Sequence, residues 1–125
     1  MFSRFFNNTV YIKVHPDHFE LRHVETGKSV REETPPSFHL DGPSPEDQAA
    51  ASLTLAAATR RLFAGKMILS PPVVLIQPVG IAEGALGERR RALLEKLAMD
   101  AGARRARVWA GAELADDGVL EALQA

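Results

Sequence analysis

The sequence contains no cysteine, so disulfide bonds and thiolate metal sites are excluded, and a reducing compartment is compatible with the chain. It also lacks a basic excess, with 15 Lys and Arg against 16 Asp and Glu, whereas a general nucleic-acid surface needs one. No apolar run approaches the roughly 20 residues that a membrane-spanning helix requires. The polar pair Asn7-Asn8 interrupts the first apolar stretch, so we expect no signal peptide and a cytoplasmic protein.

The composition provides enough apolar material for one domain. The 125 residues are 46% hydrophobic and 25% charged, which is close to the average for globular proteins. We therefore predict a single α/β domain at residues 9–125, preceded by an amphipathic segment at residues 1–8.

The first third of the chain has the pattern of a three-stranded meander. Thr9 to Val14 is β-branched and aromatic, and Phe19 to Val24 alternates, with its odd-numbered residues on one face. The turn His15-Pro16-Asp17-His18 joins these two strands. Ser29 to Glu33 is a weaker third strand.

The rest of the chain alternates helices and strands. Ser44 followed by Pro45 predicts the start of a helix that continues to about Ala64. The unbroken apolar run Val73 to Ile76 predicts a central strand buried on both faces, which we expect to be the most buried segment. The remaining predicted elements are a helix from about Leu86 to Ala101, a strand from Arg105 to Ala110, and a final helix from Asp116 to Leu123 capped by Asp116 or Asp117. The predicted order is β-β-β-α-β-α-β-α, with a mixed sheet.

Three motifs follow one another in the second half: Pro71 to Gly80 (PPVVLIQPVG), Glu88-Arg89-Arg90, and Ala101 to Arg104 (AGAR) before a hydrophobic strand. Together they resemble the MreB-type bacterial actins, the rod shape-determining protein family, and Met1 to Asn8 (MFSRFFNN) looks like that family's short amphipathic N-terminus. The resemblance implies a ribonuclease H-like, actin-like subdomain, with which the predicted element order agrees. It also implies association with cell-shape or envelope-assembly machinery at the inner membrane.

The turn with which actin-like proteins grip phosphate and metal departs from the family pattern. The family has Asp-x-Gly-Thr/Ser there, whose amides donate to phosphate and whose aspartate organises a cation. Here the segment Lys13 to His18 contains no glycine, Pro16 has no amide hydrogen, and Lys13 stands where the aspartate is expected. We therefore expect no cofactor, no metal and no enzymatic activity. The chain is also too short for the second half of an actin fold, so the resemblance implies one subdomain without the other.

Two features leave other functions open. The glycines from Gly80 to Gly87 lie between a strand and a helix, as in phosphate loops, although their spacing fits neither the P-loop nor the dinucleotide fingerprint. His15 and His18 flank Asp17, a pattern compatible with part of a metal site or a histidine-centred hydrolase. No third ligand is placed by spacing, so we interpret it as a polar turn. The run Arg89-Arg90-Arg91 is interpreted as a solvated helix face, since no aromatic residues interleave with it.

The N-terminal segment carries half of the chain's six phenylalanines. At helical spacing Phe2, Phe5 and Phe6 share one face, and Arg4 can reach phosphates. Membrane insertion, docking onto a partner and packing under the chain's own sheet are all compatible with this pattern. We predict that Phe2, Arg4, Phe5 and Phe6 contact a membrane or a second protein chain.

The leading hypothesis is a non-catalytic adaptor or scaffold domain that works by contact with a protein partner or by self-association. It would lie in the cytoplasm near the inner face of the membrane and would not bind nucleic acid. The alternative is a small nucleotide- or phosphate-binding protein that uses the turn from Gly80 to Gly87, and a histidine-centred hydrolase is a further rival.

Overall fold

The computed structural model of the chain describes residues 8–65 and 70–124. Within these residues, five strands and three helices follow in the predicted order β-β-β-α-β-α-β-α, which confirms the α/β class. The strands are β1 (Thr9–Val14), β2 (His18–His23), β3 (Ser29–Glu33), β4 (Val73–Pro78) and β5 (Arg105–Val108). The helices are α1 (Pro45–Leu62), α2 (Glu88–Asp100) and α3 (Asp116–Gln124), and a 3₁₀ turn at Glu83–Ala85 precedes α2.

The strands form one mixed sheet in the order β3-β2-β1-β4-β5. β2 is antiparallel to both β1 and β3, whereas β1, β4 and β5 run parallel. The middle position belongs to β1, so the prediction that Val73 to Ile76 forms the central strand was wrong in this respect. The predicted run Val73 to Ile76 is buried, and so are the two residues that follow it in β4. An unbroken apolar run indicates that a strand is buried on both faces. Every interior strand of a covered sheet is buried in this way, so the run does not identify the middle strand.

The hairpin of β1 and β2 places Lys13 opposite Glu20. The alternation of β2 is confirmed, since its odd-numbered residues are buried and its even-numbered residues are partly exposed. The strand begins and ends one residue earlier than predicted, at His18 and His23. The early start follows from pairing with the third strand, because His18 lies opposite Glu33 of β3.

The first helix begins as predicted and ends two residues early. The Asp47 backbone N–H donates to the Ser44 hydroxyl at 3.1 Å, which satisfies one of the free amides of the first turn. The helix ends at Leu62, and Gly65 adopts a positive φ of 78° just beyond it.

The bounds of the later elements differ from the predicted ones by one or two residues. α2 begins at Glu88 rather than Leu86, because Gly87 at a φ of 78° separates the helix from the preceding 3₁₀ turn. β5 ends at Val108, two residues before the predicted end. Asp116 and Asp117, the two predicted caps, are instead the first two residues of α3, and the Asp116 carboxylate accepts from Arg22 of β2. Among the described helices, none combines the length and apolar character needed to cross a bilayer.

Helices cover the two faces of the sheet unequally. Leu55 of α1 and Leu97 of α2 belong to one large core cluster on the first face. On the second face Val119 of α3 joins a smaller cluster with Tyr11 and Leu75. α3 begins beside Arg22 of β2, and the candidate site lies on the same face before that start, where Glu113 reaches Lys13.

Candidate functional site

Polar side chains gather where the parallel strands β1 and β4 end. The register pairs Val14 with Pro78, so both carboxyl ends lie at the same edge of the sheet, beside the β1–β2 turn. In open α/β sheets this edge is where ligands bind. The side chains that meet on its α3 side, called here the strand-end cluster, are Lys13, His15, His18, Glu20 and Glu113.

Lys13 is the cation of the strand-end cluster, and its charge is already compensated. Its ammonium donates to Glu113 at 2.9 Å and lies 3.7 Å from the Glu20 carboxylate. Burial alone lowers the pKa of Lys13, but the hydrogen bond to Glu113 and the charge of Glu20 outweigh burial, so the pKa lies above its ordinary value. The same hydrogen bond lowers the pKa of Glu113. The cluster therefore holds an ion pair where the family resemblance implies a cation-organising aspartate.

The β1–β2 turn uses its backbone groups internally. The His15 N–H donates to the His18 carbonyl at 2.9 Å, and Pro16 has no N–H. The Asp17 carbonyl in turn accepts from the Thr34 N–H at 3.1 Å, which ties the turn to the end of β3. A phosphate at this turn would therefore find neither of the first two amides available.

The two histidines of the turn lie together with Glu20, an acid that their spacing along the chain does not indicate. The rings of His15 and His18 stack with centroids 4.1 Å apart and planes 7° from parallel. His15 Nε2 lies 3.3 Å from Glu20 Oε1, and His18 Nδ1 lies 2.6 Å from Asp17 Oδ1. The contact with His18 lowers the pKa of Asp17. Spacing along the chain gave no third ligand for His15 and His18. The register of a hairpin with a short turn would have placed Glu20 beside them.

A buried polar chain lies beneath the cluster. The Tyr11 hydroxyl donates to Gln77 Oε1, and the Gln77 amide donates to the Gly111 carbonyl at 2.9 Å. The Leu114 N–H donates to the Tyr11 oxygen at 3.1 Å. Burial is the main cause that raises the pKa of Tyr11, so the phenol stays protonated at neutral pH. Throughout residues 8–65 and 70–124, every buried polar side-chain atom has a hydrogen-bond partner. These hydrogen bonds lie beneath the strand-end cluster and join β1 and β4 to the segment before α3.

The glycine-rich turn from Gly80 to Gly87 connects the end of β4 to the start of α2. Arg90, a partly buried cation near this turn, is bound to Asp41, with guanidinium and carboxylate 2.8 Å apart. Glu88 adds a negative charge in the first turn of the helix. These carboxylates compete with any anion that approaches the N–H groups of the helix start.

The prediction that Arg89, Arg90 and Arg91 form a solvated helix face is confirmed only in part. Arg89 and Arg105 are exposed, whereas Arg90 and Arg91 are partly buried. Arg105 donates to the Leu123 carbonyl at the end of α3, at 3.3 Å.

The predicted contact residues Phe2, Arg4, Phe5 and Phe6 lie outside the described residues. Their contact with a membrane or a second chain stays a prediction.

Comparison with known proteins yields no assignment: no family model matches the chain, and no curated protein matches it.

Proposed function

We propose that this chain is a non-catalytic adaptor or scaffold domain of ribonuclease H-like, actin-like descent. The element order and the mixed sheet support the resemblance. The motifs that carry it also fall on the elements it implies. The run from Pro71 to Gly80 is β4 with its following turn, Glu88-Arg89-Arg90 opens α2, and Ala101 to Arg104 joins α2 to β5.

The observation that carries the non-catalytic part of the proposal is the state of the β1–β2 turn. Its first amide is bonded to His18, its second residue is Pro16, and the preceding strand offers Lys13 instead of an acid. Lys13 is also bound to Glu113. A nucleotide and its Mg²⁺ would meet a compensated lysine and a closed turn rather than free amides and a carboxylate.

The glycine-rich alternative has less support. A phosphate at the start of α2 would have to displace Asp41 from Arg90 and approach Glu88. The scaffold reading requires no such exchange. In cells we place the domain near the inner face of the membrane, acting with cell-shape or envelope-assembly proteins or with copies of itself.

The test is calorimetric titration of the chain with ATP and GTP in the presence of Mg²⁺, and with inorganic phosphate alone. We expect no saturable heat and no nucleotide hydrolysis, together with recovery of a specific protein partner by cross-linking in cells. Saturable phosphate binding that Arg90→Ala abolishes would replace the scaffold by the phosphate-binding alternative. The control variant is Arg60→Ala, because Arg60 is an exposed arginine on a different helix, in the last turn of α1.

A further inference from the structure

We propose that His15, His18 and Glu20 bind one zinc-class divalent ion at the β1–β2 hairpin. One ligand atom from each of the three residues lies within 4.8 Å of the other two. The ligand set is two imidazoles and one carboxylate, which is a combination found in zinc sites. This goes beyond the scaffold function and does not depend on it.

The geometry is close to that of a bound ion. Zinc binds histidine nitrogen and carboxylate oxygen at about 2.0–2.2 Å in a tetrahedron, so two ligand atoms on one ion are about 3.3–3.6 Å apart. His15 Nε2 and Glu20 Oε1 are already separated by 3.3 Å. A ligand nitrogen of His18, whose ring stacks on His15, lies within 4.8 Å of both of these atoms, so a small contraction closes the three ligands on one ion. All three side chains are partly exposed, which leaves an ion a path from solvent.

Asp17 supplies the outer partner that metal-bound histidines usually have. Its Oδ1 lies 2.6 Å from His18 Nδ1, so the Nδ1 hydrogen is held by a carboxylate and Nε2 is the nitrogen left for a metal. This hydrogen bond also orients the ring, which is what such partners do in zinc proteins. Asp17 is therefore a positioning residue and not a ligand.

The charges around the three ligands favour a cation. Lys13 is the nearest competitor for Glu20, at 3.7 Å, but its hydrogen bond goes to Glu113 at 2.9 Å. Across the β2–β3 pairing, Glu33 lies opposite His18 and Arg31 opposite Glu20. The charged groups at the site are thus the carboxylates Asp17, Glu20, Glu33 and Glu113 and the cations Lys13 and Arg31. Since both imidazoles bind metal in the neutral form, carboxylates outnumber cations before the ion arrives.

The nitrogen donors select the ion class. Mg²⁺ and Ca²⁺ prefer oxygen ligands, whereas imidazole suits zinc and its neighbours in the first transition row. Three protein ligands leave the fourth tetrahedral position open to water or to a side chain of a docked protein.

The proposal is tested with the full chain free of any affinity tag. Zn²⁺ is titrated in competition with a chromophoric chelator, and Co²⁺ is titrated for the visible absorption of a tetrahedral site. We expect one ion per chain, with Mg²⁺ in excess unable to compete. Glu20→Gln and His15→Ala should each weaken Zn²⁺ binding at least tenfold. Asp17→Asn should weaken binding by about 10- to 100-fold, as for other outer partners of zinc-bound histidine.

The control variant is His39→Ala, because His39 is an exposed histidine outside the hairpin. It should leave the affinity, the stoichiometry and the Co²⁺ spectrum unchanged. Circular dichroism without metal establishes that each variant is folded, and Glu20→Gln removes the ligand charge from a half-exposed strand position without a cavity. No Zn²⁺ binding in the wild type, or equal binding in wild type and folded Glu20→Gln, would overturn the site.

Discussion

The Lys13 ammonium lies 2.9 Å from the carboxylate of Glu113, one hundred residues further along the chain. The pair ties the end of β1 to the segment that leads into α3. It also occupies the strand position at which the family resemblance implies a phosphate-site aspartate. The lysine at this position is therefore compensated by its own counterion.

The pair should be visible in a titration of Glu113. Because the Lys13 hydrogen bond is the largest cause of the lowered pKa of Glu113, Lys13→Met should let that pKa rise toward its ordinary value of 4.5. The measurement is NMR titration of the side-chain carboxyl carbons in the two proteins. An identical Glu113 pKa in both would show that the pair does not form in solution.

Removal of the Tyr11 hydroxyl should lower stability, because this group belongs to the buried hydrogen-bonded network beneath the strand-end cluster. Tyr11→Phe leaves the fully buried Gln77 carbonyl oxygen without its donor and the Leu114 N–H without its acceptor. We expect the free energy of unfolding to fall by about 1–3 kcal/mol, because buried groups left unpaired keep their desolvation cost. Urea unfolding measures it. A change within about 0.5 kcal/mol, the range of ordinary surface substitutions, would show that water replaces the hydroxyl.

The pairing of α3 with β2 predicts a pH-dependent contribution to stability. Arg22 binds both carboxylate oxygens of Asp116, at 2.8 and 2.9 Å, and lowers the pKa of Asp116 below its ordinary 3.8. A group whose folded pKa is lowered stabilises the fold above its unfolded pKa, and the gain is lost as the pH falls through the folded pKa. Asp116→Asn should therefore lower the Tm near neutral pH, and the two Tm values should converge below pH 3.8.

The size of that effect is limited by solvent. Both side chains are about two-fifths exposed, so the Tm difference should be at most about 5 °C. Glu121→Gln, an exposed acid on the same helix, is the control and should leave the Tm unchanged. A Tm difference for Asp116→Asn that stays constant from neutral to acid pH contradicts an origin in the charge pair.

The burial of β4 predicts a large packing cost. Leu75 is fully buried in the cluster beneath α3, whereas Leu53 of α1 is 72% exposed. Leu75→Ala should lower the free energy of unfolding by about 2–5 kcal/mol through lost burial and a residual cavity. The matched Leu53→Ala should change it by no more than about 0.5 kcal/mol. The measurement is denaturant unfolding of both variants, compared with the wild type at unchanged m-values. A loss of unfolding free energy below about 1 kcal/mol for Leu75→Ala would contradict an interior position for β4.

Most of the helices and strands could be predicted from signals within a few neighbouring residues. Ser44 was recognised as a cap because its hydroxyl bonds an amide only three residues away, and the run Val73 to Ile76 was recognised as buried because every residue in it is apolar. Leu53 shows the limit of such signals. Its residue type predicts burial, but a helix that packs one face against the core leaves some apolar side chains in water.

The candidate site depends on relations that local signals do not contain. Glu20 joins His15 only through the register of a hairpin, and Glu113 reaches Lys13 across the whole chain. The sheet order is equally non-local, which is why β4 was expected in the middle where β1 lies. A pattern of residue types predicts which faces are buried, but it does not predict which distant side chains share an edge.

The last prediction concerns the N-terminal segment. We expect Phe2, Phe5 and Phe6 to contact a membrane or a second chain, since burying each ring is worth roughly 1.5–3 kcal/mol. Six residues are too few for a stable isolated helix, so binding by one copy should be weak and should increase with oligomerisation.

The experiment is removal of residues 1–7 with Asn8 retained, because the Asn8 side chain donates to the Ser70 carbonyl and its own carbonyl accepts from Val73. The truncated chain should keep its circular dichroism and Tm but lose co-sedimentation with anionic lipid vesicles or its self-association measured by light scattering. A triple Phe→Ser variant at positions 2, 5 and 6 should reproduce the loss, whereas Arg4→Gln should weaken only the lipid arm, because the guanidinium contributes by reaching phosphates. If the truncated chain unfolds instead, the phenylalanines belong to the domain's own core, and the segment is not an external contact.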